Sequence, residues 1–232
     1  MNMIKKIIGK IIPLKIKKQL VNFKILAFEY GQYKTIKNWD CVDKNSKKIP
    51  WYTYPAIEYL NNINFTEKSI LEYGSGNSSI FWSNKSRDVL SIEHDREWYE
   101  KVKLSLNDNQ TLLLKENNNE YEKSIIKLDK EFDVIIIDGI RRVECAREIE
   151  KYLNKKSNEG YLVILDNSDR YKETSKYLRE ELDLIEVDFH GFGPINNYTW
   201  TTSIFLSRNF KFKAIDNSQP NYSISGLHHS AE

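Results

Sequence analysis

The chain has 232 residues, 40% of them hydrophobic and 29% charged, with a formal net charge of +2. That length holds one sizeable α/β domain with a short appendage, and the composition is ordinary for a globular protein in water. No apolar run approaches the roughly eighteen residues of a spanning helix. Two distant cysteines, Cys41 and Cys145, offer neither a disulfide framework nor zinc-ligand spacing, which favours a reducing, cytoplasmic setting.

The charge is uneven. Residues 1–37 carry nine Lys and a single acid, Glu29, for +8, which leaves −6 for residues 38–232. A mildly acidic body with a basic arm argues against a general nucleic-acid binder. In the arm, Ile4, Ile7, Ile8, Ile11 and Ile12 recur at helical spacing among lysines; Pro13 interrupts, and Leu14 to Phe28 reads as a second helical piece. Such a helix either packs its apolar face on the domain or on a second subunit, or lies at an anionic membrane surface at the inner face of the membrane. The abundance of Lys and Ile along the whole chain favours packing. The sequence divides into an arm and linker over 1–45, a domain over 46–214 and a polar tail over 215–232.

The aromatic stretch Trp51 to Tyr54 precedes Pro55, which is placed to open a helix. From Ser69 the pattern alternates strand and helix, as in a mostly parallel, helix-covered sheet. Strands are expected at Ser69–Tyr73, Val89–Glu93, Thr111–Leu114, Phe132–Asp138 and Gly160–Asp166. Helices are expected near Ser79, from Asp95 through Leu104, over Tyr121–Leu128, Arg142–Leu153 and Glu173–Leu182. Two last runs, Leu184–Phe189 and Thr199–Leu206, have no helix between them and pair best as an antiparallel hairpin. The expected fold is a doubly wound, Rossmann-like, seven-stranded α/β sheet.

The first strand breaks into Gly74-Ser75-Gly76, and glycines there let the chain turn tightly and let a ligand approach the backbone. Glu72, near the strand end, is expected to face the crevice at which open α/β sheets bind ligands. Glu93 closes the next strand, where an acid accepts hydrogen bonds from a ribose diol, a feature that suits NAD and S-adenosylmethionine alike. Ser79 stands where the dinucleotide fingerprint has its third Gly or an Ala, and the closing hairpin is foreign to dehydrogenases. An NAD-dependent oxidoreductase is therefore the second reading. A non-catalytic scaffold held at a membrane by the basic arm is the third.

Glu72-x-Gly74-x-Gly76, Glu93, Asp138 and the hairpin together resemble a class I S-adenosylmethionine-dependent methyltransferase, over about residues 55 to 207. The resemblance implies that Gly74 and Gly76, with Ser75 and Ser78 in the same turn, lie against the methionine and ribose part of the cofactor. It further implies that Glu93 holds the ribose hydroxyls, that Glu72 helps place the amino group, that Asp138 borders the cofactor, and that the adenine lies near Lys115-Glu116-Asn117.

Asp138 ends the fourth strand and Asp166-Asn167 end the fifth, so these three oxygen-bearing residues are candidate ligands for Mg²⁺ or another hard divalent cation. This set is similar to the metal site of catechol-type and macrolide-sugar O-methyltransferases, where the metal acidifies the attacking hydroxyl. The catechol-type enzymes carry a Lys base three residues after the first metal Asp. Here Arg141 stands in that place, and an always-protonated guanidinium cannot take a proton. Asp138, His94 and His190 are the remaining candidates for catalysis. The segment Asp138 to Cys145, with Gly191-Phe192-Gly193-Pro194 and Trp200-Thr201-Thr202, also resembles methyltransferases encoded with surface-polysaccharide genes. The expected acceptor is thus a small molecule or glycan precursor, with Arg141 and Arg142 available to an anionic group, and a homo-oligomer is among the expected states.

Overall fold

The computed structural model describes residues 13–124, 130–153, 155, 157–217 and 221–228. The Ile4–Ile12 helix expected in the arm lies outside them. A seven-stranded sheet forms the centre, from β1 (Ser69–Tyr73), β2 (Asp88–Glu93), β3 (Gln110–Leu114), β4 (Val134–Ile137), β5 (Leu162–Asp166), β6 (Ile185–Gly191) and β7 (Trp200–Leu206). Their order is β3-β2-β1-β4-β5-β7-β6. The first five are parallel, while β7 runs antiparallel to both β5 and β6. The hairpin is therefore folded back, so that its second strand enters the sheet and its first becomes the edge.

The central strands carry apolar residues on both faces because helices cover both. Ile70, Val134, Ile136, Leu162, Ile164 and Ile204 face one core cluster; Leu71, Ile135, Ile137, Val163, Leu165 and Phe205 face the other. Alternation along each strand divides these residues between the two sides. The first side is closed by α3 (Tyr54–Asn61) and α4 (Asn77–Ser83), through Ile57, Leu60 and the fully buried Trp82. The second is closed by α6 (Asn118–Glu122), α7 (Arg142–Ile149) and the helical stretch α8 (Lys172–Lys176), which continues as a π-helical turn over Tyr177–Glu181. The last helix is α5 (Arg96–Lys103), capped by Asp95, whose side chain accepts from the Trp98 N–H at 2.7 Å.

Before the sheet come α1 (Leu14–Lys24), a π-helical turn over Ile25–Glu29, and α2 (Gln32–Asn38). α1 and the π-helical turn together fill the helical piece expected over Leu14–Phe28, and α2, not expected from sequence, follows after a break. The break arises where Gly31 adopts a left-handed φ of 82°, a conformation in which a Cβ would lie 2.6 Å from the Lys44 nitrogen. Observed boundaries are otherwise close to the expected ones except at α6, which spans Asn118–Glu122 with Asn117 as its cap, where a helix was expected over Tyr121–Leu128; residues 125–129 of that stretch lie outside the described residues. Tyr52 and Tyr54 of the aromatic stretch are buried core residues.

Candidate functional site

The sheet's strand order reverses between β1 and β4, and there the loop after β1 meets the loop after β4. Gly74 has φ 104°, and a Cβ on it would come within 3.3 Å of the Asp138 carbonyl carbon and the Gly139 nitrogen. Only glycine allows both that conformation and that approach. A cleft of about 460 Å³ opens beside this contact, lined among others by Gly74, Ser75, Glu93, His94, Trp98 and Asp138. The volume is that of a small-molecule site.

Glu93 is built into its wall. Its Oε1 accepts the backbone N–H groups of His94 at 2.8 Å and Asp95 at 2.9 Å, and its Oε2 accepts the Ser75 hydroxyl at 2.7 Å. The carboxylate is thereby fixed in direction, while its remaining lone pairs can accept from a diol. His94 stands alongside, with Nδ1 3.0 Å from Glu93 Oε1 and its ring edge-on to Tyr121. Trp98, which sequence reasoning missed, donates its indole N–H to the Ser75 carbonyl at 2.8 Å, and its ring would be 3.5 Å from a Cβ on Gly76. The available signal was its place one helical turn into the element that Asp95 caps, directly after the second acidic strand end.

Glu72 is placed differently from expectation. It is the penultimate residue of β1 and lies buried beneath the glycine turn rather than in the cleft. The β1–β2 register sets Ser91 opposite it, and Ser91 donates to Glu72 Oε2 at 2.7 Å; Ser79 donates to the same oxygen while accepting the Gly76 N–H at 3.0 Å. The residue that spoils the dinucleotide fingerprint thus ties the glycine turn to Glu72. Burial raises the Glu72 pKa to about 7, against the lowering effect of Ser78, Ser79 and Ser91. Ser78 is likewise buried behind the turn. The other Glu72 oxygen, Oε1, is buried without a partner, as is the hydroxyl of Tyr52.

The ends of β4 and β5 are held by a guanidinium. Arg142, buried at the start of α7, donates Nη2 to Asp138 Oδ1 at 3.0 Å, Nε to the Gly139 carbonyl at 2.9 Å, and Nη1 to the Asp166 carbonyl. Its plane stacks 4.2 Å from the Tyr171 ring centroid. Asp138 keeps 24% of its side chain accessible at the cleft, yet the packing around it raises its pKa against the pull of Arg142. Asp166 is buried, and its Oδ1 accepts Thr202 Oγ1 at 2.5 Å and Trp200 Nε1 at 3.0 Å; Thr202 is its register partner on β7. Burial and the nearby Asp138 push its pKa to about 8.

This arrangement does not fit the divalent cation expected at Asp138, Asp166 and Asn167. The Arg142 guanidinium joins the Asp138 carboxylate to the Asp166 backbone carbonyl, and Asp166 Oδ1 is engaged by the indole and the hydroxyl. Asn167 serves as a left-handed turn residue, with φ 50°. Among the described residues no group of three or more His, Cys, Asp or Glu is arranged to hold a metal. Arg141 and Arg142 are also not free for an anionic acceptor, because Arg141 binds Glu122 at 2.7 Å and Arg142 is spent as described.

His190 falls outside the cleft. The folded-back hairpin puts it on the edge strand β6, where Nδ1 lies 2.7 Å from Thr201 Oγ1 in a separate pocket with Asp188 and Lys172. The stretch Lys115 to Asn117 does not line the cleft either. Glu116 is bound by Arg96 at 3.0 Å and Asn117 caps α6.

No family model and no curated protein matches the sequence. The fold does match solved structures. One is a candidate O-methyltransferase from Klebsiella pneumoniae, at 18% identity and a TM-score of 0.51, covering 65% of this chain and 76% of that one. Another is the O-methyltransferase TomG from Streptomyces achromogenes, involved in tomaymycin synthesis and solved with S-adenosylmethionine, at 14% identity, the same TM-score and the same coverage. The shared feature is the fold: a seven-stranded, mostly parallel Rossmann-like methyltransferase sheet with antiparallel C-terminal strands.

Proposed function

We propose that this chain is an S-adenosylmethionine-dependent methyltransferase that acts on a hydroxyl of a small acceptor, a sugar or glycan precursor. The observation that carries the reading is the cleft at the β1–β4 reversal, where Gly74, Ser75 and the braced Glu93 carboxylate lie together. When bound, the cofactor supplies an electrophilic methyl group on a sulfonium.

This chain's residues do the positioning. Glu93 accepts the two ribose hydroxyls, and the Gly74–Gly76 turn leaves the backbone open to the methionine part. Asp138 borders the same cleft and takes the proton of the acceptor hydroxyl. Its raised pKa brings the carboxylate closer to the operating pH, which is the direction that favours a general base. Arg142 keeps Asp138 from turning away and occupies the bridging position between the two strand ends, so no divalent ion takes part. The glycan assignment is supported by the likeness of Asp138 to Cys145 and of the closing hairpin to polysaccharide-linked methyltransferases. The second reading, NAD chemistry, is disfavoured by Ser79, whose hydroxyl fills the place of the third glycine, and by the inserted β7 strand.

The test is release of S-adenosylhomocysteine on incubation with S-adenosylmethionine and a panel of sugars and nucleotide sugars. Asp138→Asn is expected to lower kcat about 10²-fold or more, and a chelator is expected to leave the rate unchanged. Product release by no acceptor in the panel, or a strict requirement for added Mg²⁺, would count against the proposal.

A further inference from the structure

The N-terminal helices present an apolar surface that the other described residues leave uncovered. No residue of α1 is buried. Ile16, Leu20 and Phe23 stand four and three apart, on one stripe of the helix, and each is at least half exposed. The stripe is followed by Phe28 and Tyr33, whose rings pair at 6.0 Å while both remain more than half exposed, and by Trp39 at 73% exposure. Scattered exposed apolar residues are normal, but a run of this size within 24 residues is not.

The surface is seated firmly on the domain. Leu26 and Tyr30 pack against the first core cluster and Ala27 is buried. Gln32 donates Nε2 to the carbonyls of Gly193 at 3.1 Å and Asn196 at 3.0 Å, and Thr35 Oγ1 accepts the Ile195 N–H at 2.8 Å. The turn between β6 and β7 thus anchors α2.

The charge on this segment selects what covers it. From Pro13 to Trp39 there are six Lys and one acid, Glu29, which is already paired with Lys44 at 3.0 Å. An isologous contact with a second copy would set two such cationic segments against each other. An anionic lipid surface instead accepts the apolar stripe into its interface and the lysines among its headgroups, with aromatic rings at the level both prefer. We propose that α1, with the exposed aromatic residues that follow it, docks this chain on an anionic phospholipid bilayer.

The experiment is co-sedimentation of the full chain with vesicles of equal parts phosphatidylglycerol and phosphatidylcholine, beside vesicles of phosphatidylcholine alone, together with sedimentation velocity without lipid. The proposal expects binding to the anionic vesicles only, released by high salt. Replacing Lys15, Lys17 and Lys18 with Gln should weaken it about 100-fold, since each lysine near such a surface is worth about fivefold. Ile16→Ser with Leu20→Ser and Phe23→Ser should weaken it at least about tenfold. No residue of α1 is buried, so both variants keep the folded domain, checked by an unchanged unfolding midpoint. Equal binding to neutral and anionic vesicles, no binding to either, or full binding by the triple-Ser variant would overturn the proposal. So would a lipid-free dimer that the triple-Ser variant converts to monomer, which would assign the surface to a second copy.

Discussion

The two ends of the crevice are built on opposite plans. Over β1 and β2, Glu93 is held by a serine hydroxyl and two backbone N–H groups of its own loop, and the cleft beside it stays open. Over β4 and β5, Asp138 and Asp166 are bound by Arg142, Trp200 and Thr202, which come from other elements and fill the space between the strand ends. The first end is arranged for a ligand. The second is arranged to keep the protein together, with Asp138 alone reaching the cleft. Substitutions at the two ends should therefore separate binding from stability.

The largest effect is expected at the closed end. Arg142→Ala leaves buried carbonyl and carboxylate groups without their cation and should cost about 3–5 kcal/mol in urea unfolding. Arg142→Lys should not restore it, because one ammonium cannot reach three separated acceptors as a planar guanidinium does. A loss below about 1 kcal/mol, the worth of a surface pair, would mean that Arg142 does not brace the strands.

Glu72, under the open end, gives the next effect through pH. Its folded pKa of about 7 lies above the ordinary 4.5, so the folded chain holds a proton there that the unfolded chain loses first. The resulting stability is fully present below about pH 4.5 and is lost as pH rises to about 7, a fall of roughly 3 kcal/mol. Glu72→Gln should flatten the stability profile in that window, and an unchanged slope would contradict the raised pKa.

Glu93→Ala should weaken cofactor binding about 100-fold, as expected for losing two hydrogen bonds to a charged acceptor, and, because the buried carboxylate also accepts from Ser75 and two backbone N–H groups, should cost about 1–3 kcal/mol of stability, less than Arg142→Ala. The smallest effect is expected for Gly74→Ala. A left-handed φ and a 3.3 Å approach to the Asp138 carbonyl carbon should cost about 1–2 kcal/mol of stability, with a matching loss of binding as the two loops part. Full affinity in that variant would show that the close approach is dispensable.

The sheet was legible because its central strands are continuous apolar runs broken by turn residues, and burial on both faces demands such runs. That Gly74, Ser75 and Glu93 meet at one cleft was legible for a related reason: a glycine turn and an acid at strand ends are local features written in short spans. Glu72 was misplaced because the groups that cover it come from other elements: the β1–β2 register sets Ser91 against it, and Ser79 reaches back from the next helix. His190 was misplaced because strand insertion is a long-range event: β7 enters beside β5 and sends β6 to the edge. The role of Arg142 was hidden likewise, since its acceptors at 138, 139 and 166 meet only when β4 and β5 pair.

The central claim is that the open end of the crevice holds S-adenosylmethionine through Glu93. Calorimetric titration of the wild type and Glu93→Ala with S-adenosylmethionine, S-adenosylhomocysteine and NAD tests it directly. The account predicts micromolar binding of the first two to the wild type, no response to NAD, and loss of the signal in Glu93→Ala. Binding of NAD alone, or equal affinity in the two proteins, would contradict it.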